Sequence, residues 1–250
     1  AKRRVKFDLL QAFPHIPVMK YLAGLGGIFC ACSSMAFAEV DSEIPLGIEA
    51  VTGLRTDYVH RGFQLAESAL DFQLEAEITL SNNNSLSLGF AHLSESGDDF
   101  NETWSYLEFS HSFNKNLTSG ASFTYRDRNE SMLQGGCDLG LFTSYSINDV
   151  WRWRNELNFD LGVDGVYLNT ELEWSQIISN KSFVTIKAGL SWVSEYLERD
   201  GLNDFHTRLT YTYALSDQVS FTPFIGSSIQ IEDKDADDIL YGGLWFEVIF

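Results

Sequence analysis

The sequence predicts an all-β chain folded as a transmembrane, antiparallel up-and-down barrel of about twelve strands. Three observations carry this. From Leu70 to Leu80 the residues alternate without a break: Leu70, Phe72, Leu74, Ala76, Ile78 and Leu80 against Asp71, Gln73, Glu75, Glu77 and Thr79. A period of two places each set on its own face of a strand. The same pattern fills the final residues, with Leu240, Gly242, Leu244, Phe246, Val248 and Phe250 opposite Tyr241, Gly243, Trp245, Glu247 and Ile249. Between them, short polar turns alternate with longer polar connections. An acidic soluble sandwich also uses period-two strands, so the position of the aromatics has to separate the two readings.

The chain opens with a targeting pattern. Lys20 precedes an apolar run from Tyr21 to Cys32, and Ala36-Phe37-Ala38 is a small-x-small site that predicts cleavage after Ala38. Met19-Lys20 would open a compact signal peptide by itself, so residues 1–18 read as upstream sequence or an extended basic region. The run is too short for a membrane anchor, which wants roughly 18 apolar residues. Neither Cys30 nor Cys32 has the leucine three places earlier that a lipoprotein signal carries. Removing residues 1–38, with five basic residues and one acidic, takes the net charge from −18 to −22. Nucleic acid is excluded as a partner, because phosphate binding needs positive surface. Cys137 is left alone, so no intramolecular disulfide is possible. Residues 39–250 form one barrel domain.

Short turns fall at Ser81-Asn82-Asn83-Asn84, Asn114-Lys115-Asn116, Asn148-Asp149, Ser179-Asn180-Lys181 and Ser216-Asp217-Gln218. Longer connections run from His60 to Ser68, Ser94 to Asn101, Asp127 to Gly136, Gly162 to Gly165, Glu195 to Asp204 and Glu232 to Asp238. Five turns and six loops join twelve strands, each with room for the roughly 9–11 residues a bilayer crossing needs. Barrels of this kind keep short turns on the periplasmic side and longer loops outside, which puts both ends of the barrel on the periplasmic side. A mean hydropathy of −0.10 argues against a helical membrane protein and suits a barrel, whose apolar residues are diluted one in two.

The outward face collects Leu86, Leu88 and Phe90; Leu107, Phe109 and Phe113; Leu117, Ala121, Phe123 and Tyr125; Leu139, Leu141 and Tyr145; Trp151, Trp153, Leu157, Phe159 and Leu161. It continues with Val166, Leu168, Leu172 and Trp174; Val184, Ile186, Leu190 and Trp192; Phe205, Leu209, Tyr211 and Tyr213; Val219, Phe221 and Ile225. Phe113, Tyr145, Trp151, Trp153, Trp174, Tyr213, Phe221 and Phe250 cluster beside the short turns, where a girdle would sit at headgroup depth. In a soluble core they would have no reason to gather there. Pro223 on this face removes a ladder bond, and a bulge near that rim is expected to absorb it. A chain whose final strand ends on an aromatic resembles bacterial outer-membrane barrels, and that resemblance implies that Phe250 is the signal read by the barrel assembly machinery. Export through a cleaved signal peptide to the outer membrane follows, with outer-membrane lipid and lipopolysaccharide as neighbours.

The inward set carries the chemistry: Glu49, Arg55, Asp57, Asp71, Glu75, Glu77, Glu108, Arg126, Asp138, Arg152, Arg154, Glu156, Asp160, Glu171, Glu173, Lys187, Arg208 and Glu247. Acids outnumber bases two to one. Buried charges must be paired or hydrated, so the lumen is either wet or a zipped network of ion pairs. Opposed rows of Arg and Glu would set a transverse field across a pore. The acidic excess favours cations or neutral solutes over anions, and disfavours acidic sugars.

Thr56-Asp57-Tyr58-Val59-His60-Arg61-Gly62-Phe63-Gln64, at the end of the first strand, is similar to the aspartate-tyrosine-x-x-arginine-glycine motif of the TorF-type outer-membrane porin family. His60 stands where that motif usually has phenylalanine, and the resemblance covers about residues 47–80 plus Phe250. It implies a small barrel of channel function. Physically, Asp57 is expected to face the lumen near the outer rim, with Arg61 paired to it and Gly62 allowing a tight bend.

The function expected is a passive, narrow, porin-like channel for small polar solutes, with no cofactor and no covalent step. A non-conducting barrel serving as adhesin, scaffold or envelope stabiliser is the competing class. A remote third is a lipid hydrolase using His92 and Ser94, whose His-x-Ser spacing puts base and nucleophile on one lipid-facing strand; Glu95 replaces the asparagine such enzymes carry next. Asp233, Asp235 and Asp237 open like a calcium loop, but no glycine or closing glutamate follows, and the tract reads as a solvated acidic loop.

Overall fold

The structure, a computed structural model, describes residues 46–97, 100–129, 134–232 and 237–250. The signal peptide, its cleavage site and Asp233 and Asp235 of the acidic tract lie outside the described residues. Twelve strands follow one another: β1 (Leu46–His60), β2 (Phe63–Ser81), β3 (Asn84–Glu95), β4 (Asn101–Ser112), β5 (Leu117–Asn129), β6 (Gly136–Ser146), β7 (Trp151–Asp160), β8 (Gly165–Ser179), β9 (Ser182–Tyr196), β10 (Arg199–Ala214), β11 (Val219–Gln230) and β12 (Ile239–Ile249). Each pairs antiparallel with its sequence neighbours, and β1 pairs with β12, so the barrel is closed.

The alternation read in β2 is the alternation seen. Leu70, Phe72 and Leu74 are 52%, 45% and 43% exposed while Asp71 between them is 3% exposed. An exterior of Leu, Ile, Phe and Trp around a polar interior inverts the soluble arrangement, and is what a strand wall in lipid requires. Phe113, Tyr145, Trp151, Trp153 and Tyr213 are exposed on that exterior beside the short turns, as the girdle predicts. These turns are set locally. Asn114 Oδ1 accepts from the backbone N–H of Asn116 at 2.8 Å and Leu117 at 3.0 Å, and Asn148 Oδ1 takes Val150 and Trp151 N–H, each at 2.9 Å. A short polar side chain thereby replaces the ladder at the bend.

Three expectations are corrected. His60 to Ser68 is no loop: β2 starts at Phe63, and Arg61 (φ 54°) and Gly62 (φ 82°) make a two-residue turn. Left-handed backbone at both positions matches strand twist in a hairpin. Glu195 to Asp204 is likewise mostly strand, turning on Leu197 (φ 52°) and Glu198 (φ 63°). Polar composition suggested a loop in both places because these strand ends meet polar partners on the inside. Pro223 needs no bulge. The β10–β11 register is the same on either side, Thr210↔Phe224 and Tyr213↔Phe221, with the ladder simply open between them. Thr212 and Thr222 hydroxyls bridge that gap at 3.0 Å.

Lumen-facing rings lie over glycines of neighbouring strands. A Cβ at Gly89 would stand 2.0 Å from the Tyr106 ring, and one at Gly120 2.5 Å from the Phe142 ring. The Tyr106 hydroxyl, held flat by this fit, donates to Glu75. Gly89→Val is therefore expected to tilt the ring, break that bond and destabilise the barrel by about 1–3 kcal/mol. Urea unfolding in lipid vesicles measures it.

Beyond Arg55 and before Ala69 the first hairpin leaves the wall. The β1–β12 ladder ends at Arg55↔Gly243 and the β2–β3 ladder at Ala69↔Glu95, yet β1 and β2 remain paired with each other out to His60↔Phe63. The tip folds inward.

Candidate functional site: the lumen and its first hairpin

The hairpin tip is latched to the far wall. Arg61 Nη1 donates to Asp160 Oδ2 at 2.9 Å and to the Tyr196 hydroxyl at 3.2 Å, and Nη2 pairs with Asp138. Its guanidinium carbon lies 5.2 Å from the Tyr167 ring centroid, in cation–π range. Asp138 and Asp160 are cross-strand partners of β6 and β7, so two carboxylates stand side by side and a planar fork suits them. Asn203 Nδ2 donates to the Arg61 carbonyl at 2.9 Å and Gln230 Nε2 to the Gly62 carbonyl at 2.7 Å. Phe63 packs with Tyr167, Val193 and Tyr196. On the other side Tyr58 packs with Ala66, Ala69, Leu93 and Phe100. Arg61 does not pair with Asp57, as the motif suggested; Asp57 instead accepts from Gln64 Nε2 at 2.6 Å within the hairpin. The hairpin's inward fold carries the guanidinium past its own strand to the opposite wall.

Below the tip the outer half of the lumen is a network of ion pairs. Arg55 pairs with Asp71 beside Trp245. Glu102 accepts from Arg126 Nη1 at 3.1 Å and Arg128 Nε at 2.9 Å. Asp204 takes the Ser228 hydroxyl at 2.6 Å and that of Ser191, with His206 Nδ1 at 3.6 Å. Glu102, Arg128 and Asp204 escaped the sequence reading because Arg128 and Asp204 fall within stretches taken for loops and Glu102 directly follows one, whereas β5 runs on to Asn129 and β10 starts at Arg199. Their signal was period two continued across the supposed boundary.

The inner half differs. Arg152 meets Glu173 at 3.5 Å, Arg154 meets Glu156 at 2.5 Å, and Lys187 bridges Glu171 and Glu173, each at 3.2 Å. These line a cavity of about 270 Å³. Across the lumen, Glu49 faces Glu75 on the adjacent strand. Glu77 and Glu108 share that wall, and Glu247 accepts from the Ser220 hydroxyl at 2.6 Å. Arg208 lies 5.4 Å from the rings of both Phe224 and Trp245. A row rich in cations thus faces a row of acids. At the loop rim a second cavity, about 860 Å³, opens between the tip and β9–β12, lined by Phe63, Gln64, Arg199, Asn203, Glu232 and Asp237 among others.

His92 and Ser94 are not brought together: His92 Nδ1 is hydrogen-bonded to Thr103 Oγ1 at 2.8 Å, and no bond joins it to Ser94 among the described residues. Phe250 lies 71% exposed, its N–H donating to the Ile48 carbonyl at 2.9 Å.

No protein-family model and no curated protein matches the chain. Solved structures do. The KdgM porin is 9% identical with a TM-score of 0.54, covering 82% of this chain and 99% of that one. The COG4313 outer-membrane channel from Pseudomonas putida F1 is 14% identical with a TM-score of 0.54, over 86% and 98%. This is the fold of a small porin-type barrel. LpxR from Salmonella typhimurium, 11% identical at a TM-score of 0.52 over 82% and 100%, has a similar fold. At these identities the likeness is one of fold, and activity has to be argued from the site.

Proposed function

We propose that the chain is a narrow outer-membrane channel of the TorF type for small polar solutes, cations or neutral molecules. One observation supports this above the rest: inner-lumen charges stay partly open to solvent, with Arg152, Arg154 and Lys187 side chains 55%, 36% and 34% exposed. A barrel built only as a scaffold gains nothing from hydrated charges inside a membrane. The acidic wall of Glu49, Glu75, Glu77 and Glu108 concentrates cations, because low-dielectric walls focus each charge's field. The KdgM porin has been solved in complex with disordered oligogalacturonate; an acidic sugar of that kind is disfavoured beside so many carboxylates.

Planar-bilayer recording on refolded residues 39–250 tests the channel. Small, cation-selective single-channel steps are expected. Current no greater than that of the empty bilayer would leave a non-conducting barrel. Orientation is tested separately in a Cys137→Ser background. Cysteines at Glu198 or Asp237, on the loop rim, should label in intact cells, and cysteines at Asn83 or Asn180 only after permeabilisation. Equal labelling would overturn the assignment of the loop rim to the cell surface.

A further inference from the structure

We propose that the β1–β2 hairpin is a gate with two seats: the inward one described above, and one in the barrel wall where residues 56–59 extend β1 along the outer end of β12. This rests on the channel reading. The wall seat is already half built. The β1–β12 ladder keeps one register from Glu49↔Ile249 to Arg55↔Gly243 and stops, although β12 continues back to Ile239. Carried on unchanged, that register sets Thr56 opposite Gly242, Asp57 opposite Tyr241, Tyr58 opposite Leu240 and Val59 opposite Ile239. Among the described residues, Gly242 N–H crosses the gap to the Thr56 hydroxyl at 3.0 Å, a side chain standing where a ladder carbonyl would be. An open strand edge is a template for pairing, and its length here matches the segment that has left it.

The point of departure on β2 has the geometry of a hinge. Ser68 (φ 49°) holds left-handed backbone, strained for a residue other than glycine, and its carbonyl accepts the last β2–β3 bond, from Ser96 N–H at 2.9 Å. A notch of about 360 Å³, lined by Leu54, Thr56, Ser68, Leu70, Gly242 and Leu244 among others, opens at the hairpin's base. Alternation also continues into the wall seat. Thr56, Tyr58 and His60 would follow Leu54 outward, with Tyr58 at interfacial height where tyrosine is favoured.

The two seats satisfy different groups. Inward, Arg61 pairs with both Asp138 and Asp160; in the wall, backbone edges pair. Several buried polar atoms around the inward tip, His60 Nε2, Asp71 Oδ1 and Asp138 Oδ1 among them, have no hydrogen-bond partner, which weakens the inward seat. The balance between seats, and so the width of the outer mouth, is set by the Arg61 latch.

Paired cysteines in the Cys137→Ser background, in the membrane-assembled chain, test this. Tyr58→Cys with Leu240→Cys, and independently Val59→Cys with Ile239→Cys, should form disulfides under mild oxidant. Adding Arg61→Ala should speed both roughly tenfold or more, since breaking a buried ion pair shifts a two-state balance at least that far. Tyr58→Cys with Gly242→Cys, two places out of register, should lag. Gly62→Cys with Asn203→Cys traps the inward seat, because a Cβ at Gly62 stands 2.6 Å from Asn203 Nδ2. Conductance should be higher in the wall-locked forms than in the inward-locked one. Absence of both wall disulfides, even with Arg61→Ala, overturns the gate while the channel reading stands on its own recordings. Wall disulfides with equal conductance in both seats also overturn it. Wall disulfides with no current in any form overturn the channel, and with it the gate.

Discussion

Replacing Arg61 with alanine is expected to raise single-channel conductance several-fold while the barrel stays closed. The change strips the tip of its contacts to Asp138, Asp160 and Tyr196. It also leaves two carboxylates facing each other across the β6–β7 ladder with no cation between them. Breaking a buried pair costs about 3–5 kcal/mol. The bonds that remain to the tip's carbonyls, from Asn203 and Gln230, each contribute about 0.5–1.5 kcal/mol, so the latch loses more than these return. The loss is local, because the wall below Arg55 keeps its ladders. Arg61→Lys restores charge without the planar fork and should fall between wild type and alanine. Bilayer recording measures the conductance, and protease cutting near Gly62 reports the freed tip. Unchanged conductance with a freed tip would mean that the constriction lies deeper.

The second large effect belongs to the inner lumen. Arg152→Gln with Arg154→Gln is expected to shift the reversal potential strongly toward cations, most at low salt. These two guanidiniums oppose the field of Glu49, Glu75, Glu77 and Glu108. Their reach is set by screening, with a Debye length near 30 Å at 0.01 M against about 10 Å at 0.1 M. Stability should move little. Arg152 is more than half exposed and its Glu173 contact is 3.5 Å, while Arg154 and Glu156 are 36% and 31% exposed. Hydrated pairs of this kind contribute about 0–1 kcal/mol. A reversal potential that stays put while unfolding comes much earlier would mean a sealed, salt-bridged interior, and the channel would be withdrawn.

The barrel itself was legible in the chain. Period two from Leu70 to Leu80 and from Leu240 to Phe250, polar turns such as Asn148-Asp149, and aromatics gathered beside them are local properties. Each follows from the pleat and from what lipid tolerates at a given depth. Strand number and closure came with them, since an edge cannot be left open in a membrane. The face that carries Arg152, Glu173 and Lys187 was legible for the same reason, since alternation puts it opposite the apolar exterior. The first hairpin was not. Asp57, Arg61 and Gly62 could be seen to end a strand with a tight turn, but Arg61's partners lie 77 and 99 residues away in sequence. Nothing local distinguishes a rim turn from one that crosses the lumen. That choice depends on where the β1–β12 ladder stops and on whether two carboxylates on the far wall already stand side by side. Alternation decides which face a side chain takes. Only the closed barrel, by bringing β1 opposite β6 and β7, decides which charge it meets.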